Sequence, residues 1–571
     1  MRMSGLLGER QKENPGDAVF ASHRFLIRGG YVRQVANGIW SLLTPGRRVA
    51  ARIERILREE MEAAGFQEVL LPVVMPADLW RESGRWDEVG PELMRMRDRT
   101  GHDMLLGMTH EEAAVHLARH DAASHAKYPV RIFQIQTKFR DEPRSRAGLI
   151  RVREFTMKDA YSFHTTQADL ERQYWEMAAA YHRVFRRIGL GQVLSVSADT
   201  GMMGGKVAHE FMLPAEAGED SLLVCAQCGY RANLEVASTV HAPAELKEEP
   251  LQSVLTPDIT DIASLAAFFS VPTSRLLKAA VFEAAGHDRP VIVFLRGDLQ
   301  VNEAKLRRLV GAQVAPWGED RQSGLCLGFT GPVGLAPDAF DLLFDASLRD
   351  GRNLICGANE ADHHMTGVSM PRDFAGVSYV DVSAAREGDA CPHCDAPLAL
   401  IRGIEVGNIF QLGDQYTRRM GMMYTDADGN RHHPVMGCYG IGVGRLVACL
   451  VEAHHDDFGP AWPVAVAPWQ VHLCLLNADT PLCRDAATSL YEALSSRFEV
   501  VFDDRGCTAG VQFADADLLG VPVRLVVSKR NLERGEVELS SRDKRIRRTV
   551  PLDAVLPAVA EALEMLADLP E

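Results

Sequence analysis

The sequence of 571 residues contains no apolar run near the roughly 18 residues that a membrane-spanning helix needs. Its opening stretch, MRMSGLLGERQKENPGD, turns polar at once and lacks the apolar segment of a secretory signal. Internal repeats and low-complexity tracts are absent as well. These absences predict a globular, cytoplasmic protein that has no membrane partner.

A phosphate-binding loop of the form G-x-x-x-x-G-K-[S/T] is also missing, which argues against a P-loop enzyme. A glycine-rich stretch does run from Gly440 to Gly444, but dinucleotide binding requires more than glycines. No strand–loop–helix unit with an acidic residue about 20 positions later accompanies it. We therefore interpret this stretch as a strand, a close backbone approach and a helix that carries Arg445.

The net charge of −15 is unfavourable for a nucleic-acid partner when it is taken alone. Basic residues nevertheless cluster locally, first between Arg140 and Arg153 and again between Arg542 and Arg548. Such clusters usually form solvated surfaces, so charge leaves RNA binding open.

Most of the 11 cysteines lie in apolar stretches, as buried thiols of a reducing compartment do. Four of them form two C-x2-C pairs, Cys225 with Cys228 and Cys391 with Cys394. Two such pairs could close one tetrahedral zinc site of a structural kind. The long separation between the pairs predicts a whole domain inserted between them, while occupancy by zinc stays open.

A chain of this length exceeds what one hydrophobic core supports, so we expect several domains. A polar stretch from 236 to 250 is typical of a linker, and strands alternate with helices over 256–380 and again after 468. The predicted parts are residues 1–235, 236–390, 391–467 and 468–571. The first and third would form one core, and the second would be an insertion.

A helix followed by a strand is predicted near the start of the first part. Thr44 and Pro45 are typical of a helix N-cap and first turn, and Gly65 is typical of its end. Apolar residues recur with helical spacing at Val49, Ile53, Ile56, Leu57 and Met61. The following residues, FQEVLLP, predict a strand that ends at Pro72.

The most informative stretch is TKFRDEPRSRAGLIRVREFTMKDAYSF, from Thr137 to Phe163, in which two strand-like runs flank a polar loop. Arg140, just before the loop, can make bidentate contacts with a phosphate or carboxylate, and Glu142 can accept from an amine. Phe155 offers a flat face for a purine. By itself, this stretch would also fit an arginine-rich surface hairpin.

F-R-D-E…R…E-F, together with G-x-G-x-G-R and the helix–strand–proline segment, resembles motifs 2, 3 and 1 of class II aminoacyl-tRNA synthetases. Neither HIGH nor KMSKS occurs, so the class I signatures are missing. T-H-E-E from Thr109, G-G-K-V-A-H-E-F from Gly204, I-F-Q-L-G from Ile409 and M-G-C-Y-G from Met436 extend the resemblance to bacterial-type prolyl-tRNA synthetases over nearly the whole chain.

The resemblance implies an α+β multidomain fold. It would contain an antiparallel-sheet catalytic core, an inserted α/β editing domain over 236–390 and a C-terminal α/β anticodon-binding domain over 468–571. It also implies a homodimer that forms prolyl-adenylate from proline and ATP with Mg²⁺ and transfers the prolyl group to tRNA(Pro).

The resemblance further implies the roles of individual residues in the core. Arg140 would hold the α-phosphate and the proline carboxylate, and Arg445 would hold the γ-phosphate. Glu142, Phe155 and Gln411 would complete the ATP site. The proline pocket would contain Thr109, Glu111, His209 and Cys438.

For the insertion, the resemblance implies hydrolysis of mischarged alanyl-tRNA(Pro), because a pocket sized for proline cannot exclude the smaller alanine. Lys278, Asp345 and His364 would carry this editing, although a degenerate, purely structural insertion is an alternative. In the tail, Asp503, Asp504 and Arg505 would contact tRNA.

Two positions depart from the pattern of the family. Ala208 stands where serine often precedes His-Glu-Phe, and Asn408 stands where histidine often precedes Ile-Phe. A regulatory protein that has lost activity and a stand-alone deacylase remain as rivals. Retention of Arg140, Glu142 and Arg445 disfavours the first, and the complete set of core motifs disfavours the second.

Overall fold

A computed structural model describes residues 1–16, 18–205, 207–241, 247–318 and 324–567. Part of the predicted linker (242–246) and Lys206 of the G-G-K-V-A-H-E-F segment lie outside the described residues. The chain divides into two compact units. The first unit comprises Met1–Ser195, Thr200–Glu219 and Arg402–Glu571, and the second comprises Val196–Asp199 and Asp220–Ile401.

The predicted early helix is confirmed as α1, Thr44–Ala63, and its five predicted apolar residues are all buried. Leu43 rather than Thr44 is the N-cap residue, and Gly65 follows the helix with a φ of 80°. The predicted strand after it is much shorter than expected, since only Gln67–Glu68 pair with a neighbour. The Val69 N–H still donates to the Phe133 carbonyl, but beyond it side chains hold the backbone: the Leu71 N–H donates to Gln134, and the Leu71 carbonyl accepts from Gln136.

The centre of the first unit is an antiparallel sheet with helices against it, as predicted. In chain order its main elements are α2 Glu111–Asp121, β1 Val130–Phe139, β2 Glu154–His164, α3 Gln167–Ile188, β3 Val207–Pro214, β4 Ala399–Gly413, β5 Val435–Gly442 and α4 Val443–Ala453. The strand order is β3–β4–β5–β2–β1, and all of these neighbours are antiparallel.

The register of this sheet separates two faces, because successive residues of a strand point to opposite sides. One row across the strands is Ala160, Tyr439, Ile409 and His209, and the adjacent row is Tyr161, Cys438, Phe410 and Ala208. Tyr439 and Ile409 belong to the hydrophobic core that also contains residues of α1 and α3. The face bearing Cys438 is therefore the face turned away from those two helices.

The C-terminal part of the first unit is an α/β domain, as predicted. Its sheet order is Val500–Asp503, Val471–Leu475, Val523–Val527, Glu536–Ser541 and Arg547–Pro551, and its helices are Pro481–Ser495, Ala509–Leu519, Lys529–Leu532 and Val555–Ala567. The first three strands are parallel and the last two are antiparallel additions. These two strands and the final helix were not predicted from the sequence.

Shorter elements complete the first unit. They are helices Ala21–Arg28, Ala77–Ser83, Arg85–Glu88 and Gln415–Arg419, and strands Val32–Ala36, Ile39–Leu42, Val74–Pro76, Arg95–Arg97, Asp103–Leu106, Tyr424–Thr425, Arg431–His432, His455–Asp456 and Gly459–Pro460.

The second unit contains a mixed five-stranded sheet and a smaller antiparallel sheet. The order of the first is Val314–Pro316, Leu277–Ala284, Val291–Arg296, Asp341–Asp345 and Tyr379–Val380; that of the second is Gln252–Leu255, His363–Val368 and Leu354–Gly357. Helices Ile262–Phe269 and Glu303–Val310 begin after Asp261 and Asn302, whose side chains accept from backbone N–H groups of the first turn. The strands and helices predicted here are confirmed.

In the described part of the chain, no helix combines the length and apolar character required to cross a bilayer.

Candidate active site

Thr109 and Glu111 lie at the start of α2 and are held by a short chain of hydrogen bonds. The Thr109 hydroxyl donates to Glu111 Oε2 over 2.6 Å, and the Cys438 thiol donates to Glu111 Oε1 over 3.1 Å. Burial raises the pKa of the Cys438 thiol well above its usual range, so the sulfur keeps the proton that it donates. Because the Thr109 hydroxyl donates its hydrogen bond to Glu111, its oxygen lone pairs remain available to an incoming N–H donor.

Arg85 and Glu112, which were not predicted as site residues, adjoin Glu111. Nη1 of Arg85 lies 3.5 Å from Glu111 Oε2 and 3.1 Å from Glu112 Oε1, and all three side chains are buried. The doubled glutamate of T-H-E-E was the available sequence signal. Arg85 had none, since an arginine beside a tryptophan is equally common on a surface.

A second buried network, centred on His110, lies beside these residues. Lys138 donates to His110 Nδ1 over 2.7 Å and pairs with Asp159 at 2.7 Å. The remaining ring nitrogen, Nε2, then carries the proton and donates to the Pro72 carbonyl at 3.0 Å. Burial, together with the Lys138 charge, lowers the pKa of His110 to about 4. The imidazole is thus neutral at pH 7 and ties the Pro72 segment to the start of α2.

Arg140 lies at the end of β1, and its guanidinium lies over the Phe155 ring of β2, 5.3 Å from the ring centre. Its Nε donates to the Met108 carbonyl at 3.2 Å, while neither Nη makes a hydrogen bond within the described ranges. Burial lowers the pKa of Arg140; Glu405 opposes that shift, and the charge of Arg445 adds to it. Two guanidinium groups thus act on one another here, an arrangement that an anion would stabilise.

Arg445 lies in the first turn of α4 and is fixed from two sides. Its Nε donates to the Ile150 carbonyl at 2.9 Å, and its Nη1 pairs with the Glu405 carboxylate at 3.0 Å. Asn408 also donates to Glu405, at 2.9 Å, so this residue that departs from the family pattern supports the partner of Arg445. Nη2 of Arg445 makes no hydrogen bond in the described chain, which leaves a donor for a phosphate.

Glu142 begins the loop between β1 and β2. Its carboxylate accepts from the Arg144 backbone N–H at 3.1 Å and pairs with Arg151 at 3.0 Å. The side chain is therefore already engaged within the loop, and it is only partly exposed.

His209 and Gln411 are not brought together with Cys438. His209 lies in the row of Tyr439 and Ile409, and its Nδ1 is 2.7 Å from the Tyr174 hydroxyl of α3. Gln411 accepts from Gln167, also of α3, at 2.8 Å. Both side chains thus contact α3 rather than the face that carries Thr109, Glu111 and Cys438. Ala208, the other departure from the family pattern, lies in the Cys438 row and is buried.

The four cysteines of the two C-x2-C pairs converge in the second unit. Their sulfur atoms all lie within 4.8 Å of one another, and the Cys225–Cys394 and Cys228–Cys391 separations are 3.5 Å. A tetrahedral zinc with Zn–S bonds of about 2.3 Å separates its sulfurs by roughly 3.8 Å, so the donor set fits the ion. Backbone N–H groups of Cys228 and Gln227 lower the pKa of Cys225 to about 6, while the pKa values of Cys228 and Cys394 are raised by burial and neighbouring sulfurs, so a metal would have to displace protons from those two thiols.

The three predicted editing residues lie in the two sheets of the second unit. Lys278 and Asp345 lie on the two strands that flank Val291–Arg296. Lys278 pairs with Leu295, and Asp345 ends the other flanking strand, so the backbones of Lys278 and Asp345 are two strand spacings, or roughly 10 Å, apart. Asp345 is buried, and its carboxylate accepts from the backbone N–H groups of Ser347, Val382 and Ser383. His364 lies 2.6 Å from the Thr256 hydroxyl, and burial lowers its pKa to about 4.

Asp503, Asp504 and Arg505 are engaged within the chain. Arg505 donates to the buried Asp503 at 2.9 and 2.7 Å and pairs with Asp515 at 2.8 Å. Asp504 accepts from both the backbone N–H and the hydroxyl of Ser4, at 3.0 and 2.8 Å. This segment therefore holds the N-terminal residues against the C-terminal domain.

Known proteins resemble this chain over its full length. Residues 94–454 match the family described as tRNA synthetase class II core domain (G, H, P, S and T), and residues 464–562 match the anticodon binding domain family. Proline--tRNA ligase of Dehalococcoides mccartyi is 43% identical over 576 residues, covering 100% of each chain. That of Moorella thermoacetica is 43% identical over 570 residues, covering 99% of this chain and 98% of its own.

Solved structures agree on the fold. A prolyl-tRNA synthetase from Cryptosporidium parvum, complexed with L-proline and AMP, matches with a TM-score of 0.57 at 11% identity and covers 98% of this chain and 78% of its own. One from Giardia lamblia, in complex with prolyl-adenylate, gives 0.58 at 14% identity and covers 96% and 81%. With the curated relatives at 43% identity over the whole length, these findings confirm the predicted fold class, and the chain belongs to the prolyl-tRNA synthetase family of class II aminoacyl-tRNA synthetases.

Proposed function

We propose that this protein activates proline with ATP and transfers the prolyl group to tRNA(Pro). The observation that carries the proposal is the convergence of Arg140, stacked on Phe155, with Arg445, each with guanidinium N–H groups left for a ligand. Together with the protected carboxylate of Glu111, this arrangement offers separate places for polyphosphate, adenine and an ammonium group.

In the first step, a carboxylate oxygen of proline attacks the α-phosphorus of ATP, and the bond to the leaving pyrophosphate breaks. In the second, a terminal ribose hydroxyl of the tRNA attacks the carbonyl carbon of the adenylate and AMP leaves. The attacking carboxylate is already anionic at pH 7, so the first step depends on alignment and charge stabilisation rather than on a general base. Arg140 would orient the α-phosphate against the proline carboxylate, and Arg445 would hold the γ-phosphate. Mg²⁺ brought with ATP would neutralise phosphate charge.

The ring NH2⁺ of proline would bind at Thr109. The hydroxyl oxygen would accept one hydrogen bond from this group, and the Glu111 carboxylate, one hydrogen bond behind it, supplies the negative charge that an ammonium group requires. Cys438 holds the other oxygen of Glu111. Glu142, Gln411 and His209 remain predicted ligand residues. The side chains of Gln411 and His209 contact α3, so they would act on the ligand indirectly, by way of α3, or after that helix moves.

Amino-acid-dependent ATP–pyrophosphate exchange tests this function directly. With purified protein of measured solution mass, we expect strong exchange with proline, weak exchange with alanine and background exchange with threonine. Alanine fits the pocket but loses the packing of the missing ring methylenes, which is worth about 1–3 kcal/mol. Absence of exchange with every amino acid, from folded protein, would contradict the proposed function.

We also propose that the second unit hydrolyses alanyl-tRNA(Pro). Lys278 is half-buried, and burial lowers its pKa, so an anionic ligand would stabilise its charged form. His364 stays neutral near pH 7, and since its Nδ1 is engaged by the Thr256 hydroxyl, Nε2 would be the nitrogen that accepts or donates a hydrogen bond to the substrate. Asp345 would act through the backbone that it fixes rather than by direct contact.

Lys278→Ala is expected to slow deacylation of alanyl-tRNA(Pro) by at least ~10-fold, because the tRNA phosphates lose a charged partner. Proline-dependent exchange should remain unchanged. The matched control is Lys247→Ala, which removes an exposed lysine of the same unit. Unaltered deacylation in Lys278→Ala, or an equal loss in both variants, would contradict the role of Lys278. Absence of deacylation by the unaltered protein would contradict the editing function itself.

Assembly and location belong to the same proposal. The segments around α1 leave large apolar residues exposed: Val35 is 67% exposed, Leu70 74% and Val74 49%. We propose that a second copy of the chain covers them in a homodimer. The C-terminal domain, including Asp503–Arg505, would contribute to the tRNA surface, and the protein would act in the cytoplasm.

A structural zinc in the four-cysteine site completes the proposal. Residues Leu223, Cys225, Ala232, Ala237, Ala385, Cys391 and Leu398 form a small buried cluster around it. So small a core contributes little stability by itself, and a metal would cross-link its two chain segments.

A further inference from the structure

Three buried charged groups alternate in sign behind the predicted proline pocket. Glu112 is 3.1 Å from Arg85 Nη1, and the same Nη1 is 3.5 Å from Glu111. Ser83 donates its hydroxyl to Glu112 Oε1 at 2.9 Å. The three groups Glu112, Arg85 and Glu111 thus carry a net charge of −1. An ammonium group bound beyond Glu111 would be the next group in this series of alternating charges.

Aromatic rings confine Arg85 to this position. Its guanidinium carbon lies 4.7 Å from the centre of the Trp80 ring and 5.5 Å from that of Tyr416. Nε and Nη2 are buried and have no hydrogen-bond partner in the residues that the structure describes. The group therefore presents Nη1 to the two carboxylates and cannot turn to water, so its charge must be balanced where it lies.

The protonation states fit this balance. Burial opposes the charge on Arg85, but Glu112 and the other neighbouring groups outweigh it and the pKa of Arg85 is raised. Burial raises the pKa of Glu112, and the Arg85 charge opposes that rise. Nη1 of Arg85 lies 3.1 and 3.4 Å from the two Glu112 oxygens, and a guanidinium held this close to both oxygens favours the ionised carboxylate.

Without Glu112, the charge of Arg85 would cancel that of Glu111, and the pocket would be neutral. We propose that Glu112, acting through Arg85, is a positioning and specificity-determining residue that keeps Glu111 available as the counter-charge for the cationic ring nitrogen of the substrate. This inference rests on the proposed function. It predicts a loss confined to ligands that carry the ammonium group.

Glu112→Gln tests the inference, because glutamine keeps the size of the side chain and can still accept from Ser83. Proline and tetrahydrofuran-2-carboxylate, in which an ether oxygen replaces the NH2⁺ group, are compared through the KM and the inhibition constant in pyrophosphate exchange. We expect proline to bind at least ~10-fold more weakly, because the positive charge of Arg85 is then no longer balanced by Glu112 and lies within a few ångströms of the ammonium site. The affinity of this ether analogue, which keeps the carboxylate but lacks the ammonium group, and the KM for ATP should change less than ~2-fold.

Restoring the charge balance provides the matched variant. Arg85→Met with Glu112→Gln removes both charges and leaves Glu111 alone, so the KM for proline should return to within about 3-fold of the original value. In this double variant Glu111 keeps its hydrogen bonds from Thr109 and Cys438, and the cluster again carries a net charge of −1. The variant therefore decides the question even where Glu112→Gln alone does not fold.

Equal losses for proline and the ether analogue would overturn the inference, as would a double variant that remains more than ~10-fold weaker for proline. Either result would assign the pair a packing role only. Failure of the proposed function itself looks different, because the unaltered protein would then show no proline-dependent exchange.

Discussion

Replacing Arg140 by alanine is expected to reduce proline-dependent pyrophosphate exchange by about 10²–10³-fold in kcat/KM, the usual cost of losing a charged donor aimed at a reacting group. The side chain is free to act on a ligand because only its Nε is engaged, by the Met108 carbonyl. Its guanidinium is planar and lies over the Phe155 ring, so the two Nη groups can make a bidentate contact. The measurement is steady-state exchange at varied ATP and varied proline.

Arg140→Lys should recover only a small part of this loss. Lysine supplies the positive charge but not the planar pair of donors that aligns an α-phosphate with a carboxylate. Arg144→Ala is the matched control, because this nearby arginine of the same loop is exposed and only its backbone N–H is engaged, by Glu142. Exchange by Arg140→Ala within about 3-fold of the unaltered protein would show that charge at this position does not stabilise the reaction.

Much of the core could be predicted because the pattern and the structure depend on the same local physics. The apolar residues of α1 recur with helical spacing, and all of those named face the core. Arg140 and Phe155 could be assigned from two strand-like runs flanking a polar loop. Antiparallel pairing then places Phe155 opposite Lys138, two residues from Arg140. In these cases, nearest neighbours in sequence determine the geometry.

Residues that depend on distant pairing could not be placed in this way. His209 and Gln411 lie on β3 and β4, and a shift of one residue in register would move either side chain to the other face. Arg85 and Glu112 are brought together from separate helices, and their neighbours in sequence resemble those of a solvated surface. Asp503 looked available for RNA, but its carboxylate is buried under Arg505.

The early strand illustrates a third cause. Residues 66–72 have the composition of a strand, yet only Gln67–Glu68 pair with β1. Beyond them, Gln134 and Gln136 bind both polar groups of the Leu71 backbone, and His110 binds the Pro72 carbonyl. Side chains thus take the place of the backbone hydrogen bonds of a sheet. Neither strand propensity nor periodicity contains information about that replacement.

Cys391→Ser is expected to abolish zinc binding and to lower the melting temperature of the second unit by roughly 10 °C, since structural zinc contributes several kcal/mol and a domain of this size loses about 2–4 °C per kcal/mol. Four sulfurs within 4.8 Å of one another and the small apolar cluster around them are the basis for this expectation. Elemental analysis should find one zinc per chain before the change and none after it. Cobalt substitution should produce thiolate charge-transfer absorption only in the unaltered protein.

Cys326→Ser is the matched control, because this thiol is partly exposed in the same unit and lies outside the four-cysteine site. It should change neither the metal content nor the melting temperature. The unaltered protein could instead be free of metal after expression with added zinc and melt at the same temperature as Cys391→Ser. That result would show that thiol packing alone holds the two chain segments together. Retention of one zinc by Cys391→Ser would instead contradict the assignment of all four sulfurs as ligands, since three thiolates and a serine oxygen form a weaker site.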